Sequence, residues 1–495
     1  MSKKILVTGP TGYVGGRLIP LLLEQGYEVR VLSRNAHRLS DYEWFKDIEI
    51  IEGDARDRNA IEKATKDIDV IYYLLHSIVE GKKLEETEKV IAENFAVAAK
   101  DSDVKRIIYL GGMANDQQES LSSHLASRVA TGEILRSSGV PTIELRAAVI
   151  IGSGSASFEM LRYLTERLPV MVTPKWLATR VQPIAIRDVL RYLVECAKVK
   201  GEINGHFDIA GPDVLTYKEM MQRYAQIAGL KKRVIITLPV LTPKFSSHWI
   251  NLVTPVPRAI ARPLVNSLTV EVVAHDHSIA DVVPDPKEGL LPFDTAVALA
   301  LDRVRNDDVD TRWSSALNSN ITQDQLPSDP MPTDPKWSGG TLYVDERFHS
   351  CNASAENLWK VIEGIGGENG WYSFPLAWQA RGFFDRLVGG AGVNRGRRDA
   401  DELRVGETVD FWRVDEKIDN KLLHLVAEMK LPGKAALTLG IEPLTTKHGE
   451  CIFRLRASFR PRGLAGHAYW WIVRPFHGIV FGSMVRNIPK KAESL

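Results

Sequence analysis

The chain has 495 residues, 44% of them hydrophobic and 25% charged, with a formal net charge of +1. This is about three times the roughly 150 residues of one domain, so two or three domains with sizeable cores are expected and a lone small binding module is excluded. From Gly340 onward there are 22 Lys and Arg against 18 Asp and Glu, and before it 41 against 44; neither balance suits a polyanionic partner, so nucleic acid is set aside.

In chain order, the first 150 residues alternate short apolar runs with amphipathic stretches. Lys4 to Thr8, Glu28 to Leu32, Ile48 to Glu52, Val70 to Leu74, Arg106 to Leu110 and Thr142 to Leu145 read as strands. Strands rich in Ile and Val, separated by helical patterns, predict a parallel sheet covered by helices on both faces, a doubly wound α/β domain. After Ile150 turn clusters separate helices such as Tyr217 to Ala228 and Phe293 to Val304. Residues from about 150 to 305 are therefore expected to cap the C-terminal edge of the sheet, where α/β ligand sites form.

From Arg305 to Gly340 the composition shifts to Asp, Ser, Asn and Pro, with Pro327, Pro330, Pro332 and Pro335 closely spaced, as in an extended linker. The expected organisation is a domain over 1–305, a linker over 306–340 and a second domain over 341–490. In the latter, Leu342 to Phe348, Lys421 to Lys430 and Cys451 to Arg460 read as strands, and Ala355 to Glu363 as a helix capped by Ser354. A long aromatic helix from Leu464 to Asn487 ends it, with Pro475 expected to kink or split it. An α+β domain whose sheet curls around that helix follows.

Cys196, Cys351 and Cys451 lie far apart without CxxC or Cys/His spacing, which argues against a disulfide framework and a zinc site and fits a reducing compartment. No metal ligand set is expected. The N-terminal apolar run is too short for a signal segment, so a cytoplasmic location is expected. Tyr469 to Met484, broken by Arg474, Pro475 and His477, falls short of the ~20 residues of a membrane span. A peripheral membrane contact stays open, as does the oligomeric state.

Chemistry is most legible in Thr8-Gly9-Pro10-Thr11-Gly12-Tyr13-Val14-Gly15-Gly16, a GxxGxxG directly after the first strand and opening a helix. Gly9 permits the turn, Gly12 lets backbone N–H groups approach a pyrophosphate, and Gly15 allows close packing, while the helix N-terminus stabilises the anion. The second strand ends at Ser33-Arg34, where NAD-specific folds place an acid for the ribose 2′-OH. Arg34, with the Ser33 hydroxyl and Arg38, would instead pair with a 2′-phosphate, so NADP is favoured while NAD stays open. Asp54, after the third strand, could accept the adenine amino group or cap the next helix.

The glycine motif, Gly53-Asp54, Tyr72-Tyr73-Leu74-Leu75-His76-Ser77 and Pro183-Ile184-x-x-Arg187-Asp188-Val189 together resemble atypical short-chain dehydrogenase/reductases over about residues 1–305. Within that family the chain is most similar to the NmrA-like and complex-I-accessory-subunit-like set, through Ser127-Arg128, Gly132-Glu133-x-Leu135-Arg136-x-Ser138-Gly139 and Leu145-Arg146. The part from about 340, with Gly370-Trp371, Arg395-Gly396-Arg397-Arg398, Asp410-Phe411-Trp412 and Tyr469-Trp470-Trp471, looks like the uncharacterised domain often fused to bacterial members. The resemblance implies an NAD(P)-binding Rossmann domain, with Gly9, Thr11, Gly12, Tyr13, Val14, Gly15, Ser33, Arg34, Arg38, Asp54, Leu75, His76 and Ser77 as candidate cofactor contacts. An end-of-strand His such as His76 is more often merely hydrogen-bonded.

The sequence departs from the standard pattern at the catalytic pair. Relatives in the wider family use Tyr-x-x-x-Lys on a helix, whereas His124-Leu125-Ala126-Ser127-Arg128 stands here, putting His124 and Arg128 on one helix face. Two readings follow. His124 exchanges a proton with a carbonyl or hydroxyl while Arg128 holds the nicotinamide ribose and keeps the imidazole neutral; or His124 merely starts a helix and the cofactor is bound without turnover.

In the second domain, Arg395 to Arg398 are offset by Asp399, Asp401 and Glu402 and read as a solvated loop. The aromatics Trp371, Trp378, Phe411, Trp412, Tyr469, Trp470 and Trp471 could pack a core or line an apolar pocket. Three functions stay in play: an NADP(H)-dependent oxidoreductase acting on an apolar small molecule, a non-catalytic NADP(H) sensor or assembly factor, and a carrier of a lipid-like or quinone-related ligand.

Overall fold

The computed structural model describes residues 2–40, 42–75, 82–114, 123–238, 256, 264, 270–306, 334, 338–373, 399, 402–443 and 451–495. The chain forms two compact units, Met1–Gly340 and Thr341–Leu495.

The first unit is built on a parallel sheet of seven strands. β1 (Lys4–Thr8), β2 (Glu28–Ser33), β3 (Glu49–Glu52), β4 (Val70–Tyr73), β5 (Arg106–Gly112) and β6 (Thr142–Ala147) are joined by the strand Gly205–Ile209 in the order Gly205–Ile209, β6, β5, β4, β1, β2, β3. Alternate residues of β1 serve the two faces, as both-sided burial of parallel strands requires. Ile5 and Val7 pack with α1 (Tyr13–Glu24) and α6 (Ile186–Cys196). Leu6 packs on the opposite layer with Tyr73 and Phe95, among α2 (Arg58–Thr65) and α3 (Lys82–Asp101). α4 (Ser123–Arg136) completes that layer, its Leu135 buried in the same cluster.

Residues after Ile150 do not all cap the sheet. α5 (Ala156–Arg167), α7 (Tyr217–Ile227) and the helix Phe293–Asn306 share a separate core around Phe158, Met220 and Val297 and form the cap. Between them, α6 and Gly205–Ile209 return to the main sheet, the latter pairing in parallel with β6. Its sequence Gly-His-Phe-Asp-Ile has an edge strand's half-exposed pattern, which explains why apolar runs do not reveal it.

The second unit is a six-stranded antiparallel sheet, order Tyr343–Cys351, Cys451–Pro461, Gly433–Pro443, Leu422–Ala427, Trp412–Ile418, Thr408–Val409. The helix Ala355–Glu363 is capped by the Ser354 side chain, which accepts from Asn357 N. The terminal helix runs unbroken from Gly463 to Ala492 through Pro475 and Pro489, so Pro475 does not split it. Trp471, whose carbonyl the proline leaves without its helical donor, is exposed, so water can satisfy it.

The aromatics divide. Trp371, Phe411, Trp412 and Trp470 are buried, with Trp371 Nε1 donating to Asp410 Oδ2 at 2.7 Å. Trp471 is exposed, and Trp378 and Arg395 to Arg398 lie outside the described residues. Cys351 and Cys451, distant in sequence, are direct cross-strand partners in register and remain free, buried thiols. Burial pushes the Cys451 thiol up to about 12, which keeps it unreactive.

Candidate active site

The first strand delivers the glycine loop to the C-terminal edge of the sheet, and Thr8 fixes its exit. Its hydroxyl donates to Tyr72 O at 3.0 Å and accepts from Leu74 N at 2.9 Å, tying β1 to β4. Gly9 takes φ +67°, open to glycine at no steric cost. A Cβ at Gly15 would stand 2.3 Å from Gly9 O, so the turn closes only without a side chain there. Gly12 caps α1 with no side-chain bond, and the first turn holds no acid. Its N–H groups are thus available to an anion.

A cavity of about 740 Å³ begins on this loop. Gly9, Thr11, Gly12, Tyr13, Val14 and Gly15 line it, together with Arg34, Arg38 and Leu75. It continues past Gly111 to Met113, His124 and Arg128 and ends against cap residues, among them Ser155 and Tyr217. One space therefore joins a phosphate cradle, two arginines suited to a 2′-phosphate and a mostly apolar far end. These features fit a dinucleotide with a second small molecule beside it.

Two expected contacts are already engaged within the protein. The Ser33 hydroxyl donates to Asn35 O and accepts from Asn35 N, and Ser33 is not among the described lining residues. Asp54, also not among them, accepts from Arg56 Nη2 at 2.6 Å and from Arg56 N. That pairing holds its carboxyl down to about 2. Asp57 caps the following helix instead, accepting from Asn59 N, so Asp54 does not act as that cap. His76 and Ser77 lie outside the described residues.

His124 and Arg128 do share one side of α4 and one cavity. Burial, then the neighbouring guanidinium, lowers the His124 pKa to about 4, so the imidazole is neutral at pH 7. Arg128 Nη2 donates to Leu110 O at 3.2 Å, while its Nε is buried with no partner among the described residues. A buried guanidinium donor left over in this way suits an anionic or carbonyl oxygen.

Three lining residues carry no motif that the sequence reading used. Tyr217 is 4% exposed and its hydroxyl has no hydrogen-bond partner among the described residues; burial keeps the phenol protonated. The capping box of Thr216 and Glu219 marks the start of α7, but not which way its first residue faces. Arg17 and Asp334 form a buried ion pair, Nη2 to Oδ2 2.7 Å and Nη1 to Oδ1 2.9 Å. Arg17 also donates to Tyr13 O and Ser153 O.

Residues 9–151 match a family described as NAD(P)H-binding, and residues 337–484 match DUF2867, a protein family of unknown function. The ceramide reductase of Caulobacter vibrioides is 26% identical over 237 residues, 47% of this chain and 72% of that protein. Subunit 9 of the NADH dehydrogenase [ubiquinone] 1 alpha subcomplex of Mus musculus is 24% identical over 290 residues, 57% of this chain and 74% of its own. Among solved structures, the Citrobacter sp. triphenylmethane reductase complexed with NADP(H) aligns with TM-score 0.48 at 21% identity, covering 60% of this chain and 99% of that one.

Proposed function

We propose that this chain, whose first unit carries an NAD(P)H-binding domain and whose second carries a DUF2867 domain, is an NADPH-dependent reductase of a carbonyl or activated alkene in an apolar, lipid-like small molecule. The carrying observation is the single cavity that runs from the glycine loop, Arg34 and Arg38 to His124, Arg128 and Tyr217. The ceramide reductase relative supports a lipid-like substrate.

Bound NADPH would supply the hydride. The chain's own residues do the rest. The α1 N-terminus holds the pyrophosphate, and Arg34 with Arg38 selects the 2′-phosphate. Arg128 offers its spare donor to the substrate oxygen as negative charge develops there. A proton must reach that oxygen, or the α-carbon in alkene reduction. Neutral His124 is poorly suited to give it; the Tyr217 hydroxyl, without a partner among the described residues, carries a proton, and because burial also makes it a weak acid it would release that proton only to a strongly basic developing alkoxide or carbanion.

Native mass spectrometry of the purified full chain, followed by NADPH and NADH titration, tests this reading. Tighter binding of NADPH, weakened at least about tenfold in Arg34→Ala with NADH binding unchanged, and NADPH oxidation by long-chain ketones or enones are expected. Equal binding of the two cofactors would remove the assignment of Arg34, and no oxidation with any such substrate would remove the reductase.

A second reading, a non-catalytic NADP(H) sensor, is favoured by the neutral His124 in place of the usual Tyr-x-x-x-Lys pair. It requires unequal affinities for NADP+ and NADPH, since only differential binding shifts a conformational equilibrium.

A further inference from the structure

The terminal helix Gly463–Ala492 is apolar on two opposite faces. One face is covered by its own unit: Trp470, Phe481, Met484, Val485 and Ile488 are buried. On the other, Trp471 (57% exposed), Ile472 (69%), Phe476 (58%) and Ile479 (57%) stand in solvent, with Leu464 (55%) at the start of the helix. Spacings of seven, one, four and three residues from Leu464 to Ile479 place these side chains on one stripe of a 3.6-residue helix. An exposed stripe with two aromatic rings is uncommon on a surface that meets only water.

The charge of the same helix is one-sided. Its 30 residues contain Arg474, Arg486, Lys490 and Lys491 and no Asp or Glu. At 3.6 residues per turn Arg486 and Lys490 continue the exposed stripe toward the C-terminus, and both are exposed. Arg474 lies over the Trp471 ring, 5.1 Å from its centroid. Apolar and aromatic side chains along one stripe, flanked by cations alone, form the pattern of a helix lying in a lipid headgroup layer. No helix among the described residues is long and apolar enough to cross a membrane, so the contact would be interfacial. The cations of this helix, with no acid on it to pair them, favour an anionic surface over a second copy of the same face, which offers them no opposite charge.

We infer that the outer face of Gly463–Ala492 docks on an anionic lipid surface, with Trp471, Ile472, Phe476 and Ile479 entering the headgroup boundary and Arg486, Lys490 and Lys491 facing lipid phosphates. The inference does not depend on the reductase reading. A membrane-bound domain would, however, bring the chain to the phase in which a lipid-like substrate resides.

The test is co-sedimentation of the full chain with phosphatidylcholine vesicles that contain phosphatidylglycerol, against vesicles of phosphatidylcholine alone. Binding is expected to the anionic vesicles, to fall with added salt, and to weaken about tenfold or more in Trp471→Gln/Phe476→Gln. That variant should keep its unfolding temperature, since both rings are exposed. Arg486→Gln/Lys490→Gln/Lys491→Gln should lose most of the preference for the anionic vesicles. Absence of binding to either vesicle, or binding unchanged in the aromatic variant, would overturn the proposal. A dimer that the aromatic substitutions dissociate, with no vesicle binding by the parent chain, would assign the face to a second copy instead.

Discussion

Asp334 Oδ2 accepts from Arg17 Nη2 at 2.7 Å, with the two side chains 7% and 3% exposed, so a residue from the Pro-rich stretch before the second unit closes one wall of the nucleotide cavity. Its carboxylate also packs where Gly154 has no side chain, a Cβ there standing 2.6 Å from Oδ2. Asp334→Ala would remove the carboxylate from a buried guanidinium that still donates to the Tyr13 and Ser153 carbonyls, at a cost of about 3 kcal/mol. Thermal unfolding should show the loss, and Arg17→Met with Asp334→Leu should recover most of it. An Asp334→Ala protein as stable as its parent would mean that the pair does not form in solution.

Tyr217→Phe separates chemistry from folding. The hydroxyl is buried and bonded to nothing among the described residues, so its removal should leave stability unchanged or raise it by about 0.5–1 kcal/mol. If Tyr217 delivers the proton, turnover should fall about 100-fold while NADPH affinity holds. A larger fall in His124→Ala than in Tyr217→Phe would transfer the donor's role to the imidazole.

The lowered His124 pKa has a signed consequence for stability. Above about pH 6.5 the group is neutral in both folded and unfolded chains and contributes nothing. As the pH falls from about 6.5 toward about 4 the unfolded chain takes up the proton first, so folding stability is lost across that window, by roughly 3 kcal/mol at its acid end. His124→Gln should therefore lose less stability than the parent between pH 7 and pH 4.5 in denaturant titrations. Parallel losses would show that the imidazole titrates normally.

Glu144 of β6 is clasped by Arg136 of α4 at 2.9 Å and by Arg146 of β6 at 2.9 Å. A Cβ at Gly132 would stand 2.4 Å from its Oε2. Gly132→Ala should cost about 2–3 kcal/mol through overpacking against this ion cluster. Gly478→Ala, on the exposed helix with nothing within 4 Å, should instead gain about 0.5–1 kcal/mol from helix propensity. Equal effects at the two sites would contradict the packing at Gly132.

Much of the architecture is legible because its signals are local. β1 to β6 are apolar runs since each strand is buried from both sides, and Ser354 or the Gly9–Gly15 loop announces a helix start through chemistry confined to one turn. Gly205–Ile209 escapes notice because an edge strand with His206 and Asp208 needs little apolar character. Pro475 misleads because its cost depends on whether water reaches the freed carbonyl, and exposure is a property of the folded molecule.

The glycine loop, Arg34 and the absence of a Tyr-x-x-x-Lys pair follow from neighbouring residues, so the sequence by itself determines a dinucleotide-binding fold with His124 and Arg128 where that pair would stand. The tertiary structure alone decides which distant groups meet. It joins Arg17 to Asp334 across 317 residues, sets Cys351 opposite Cys451 and turns Tyr217 toward the cavity that His124 lines. It also divides the apolar residues of Gly463–Ala492 into a covered and an exposed face. The reason is physical: backbone preference and capping act within a few residues, whereas ion pairing, burial and the pKa of His124 depend on what the closed chain packs around each group.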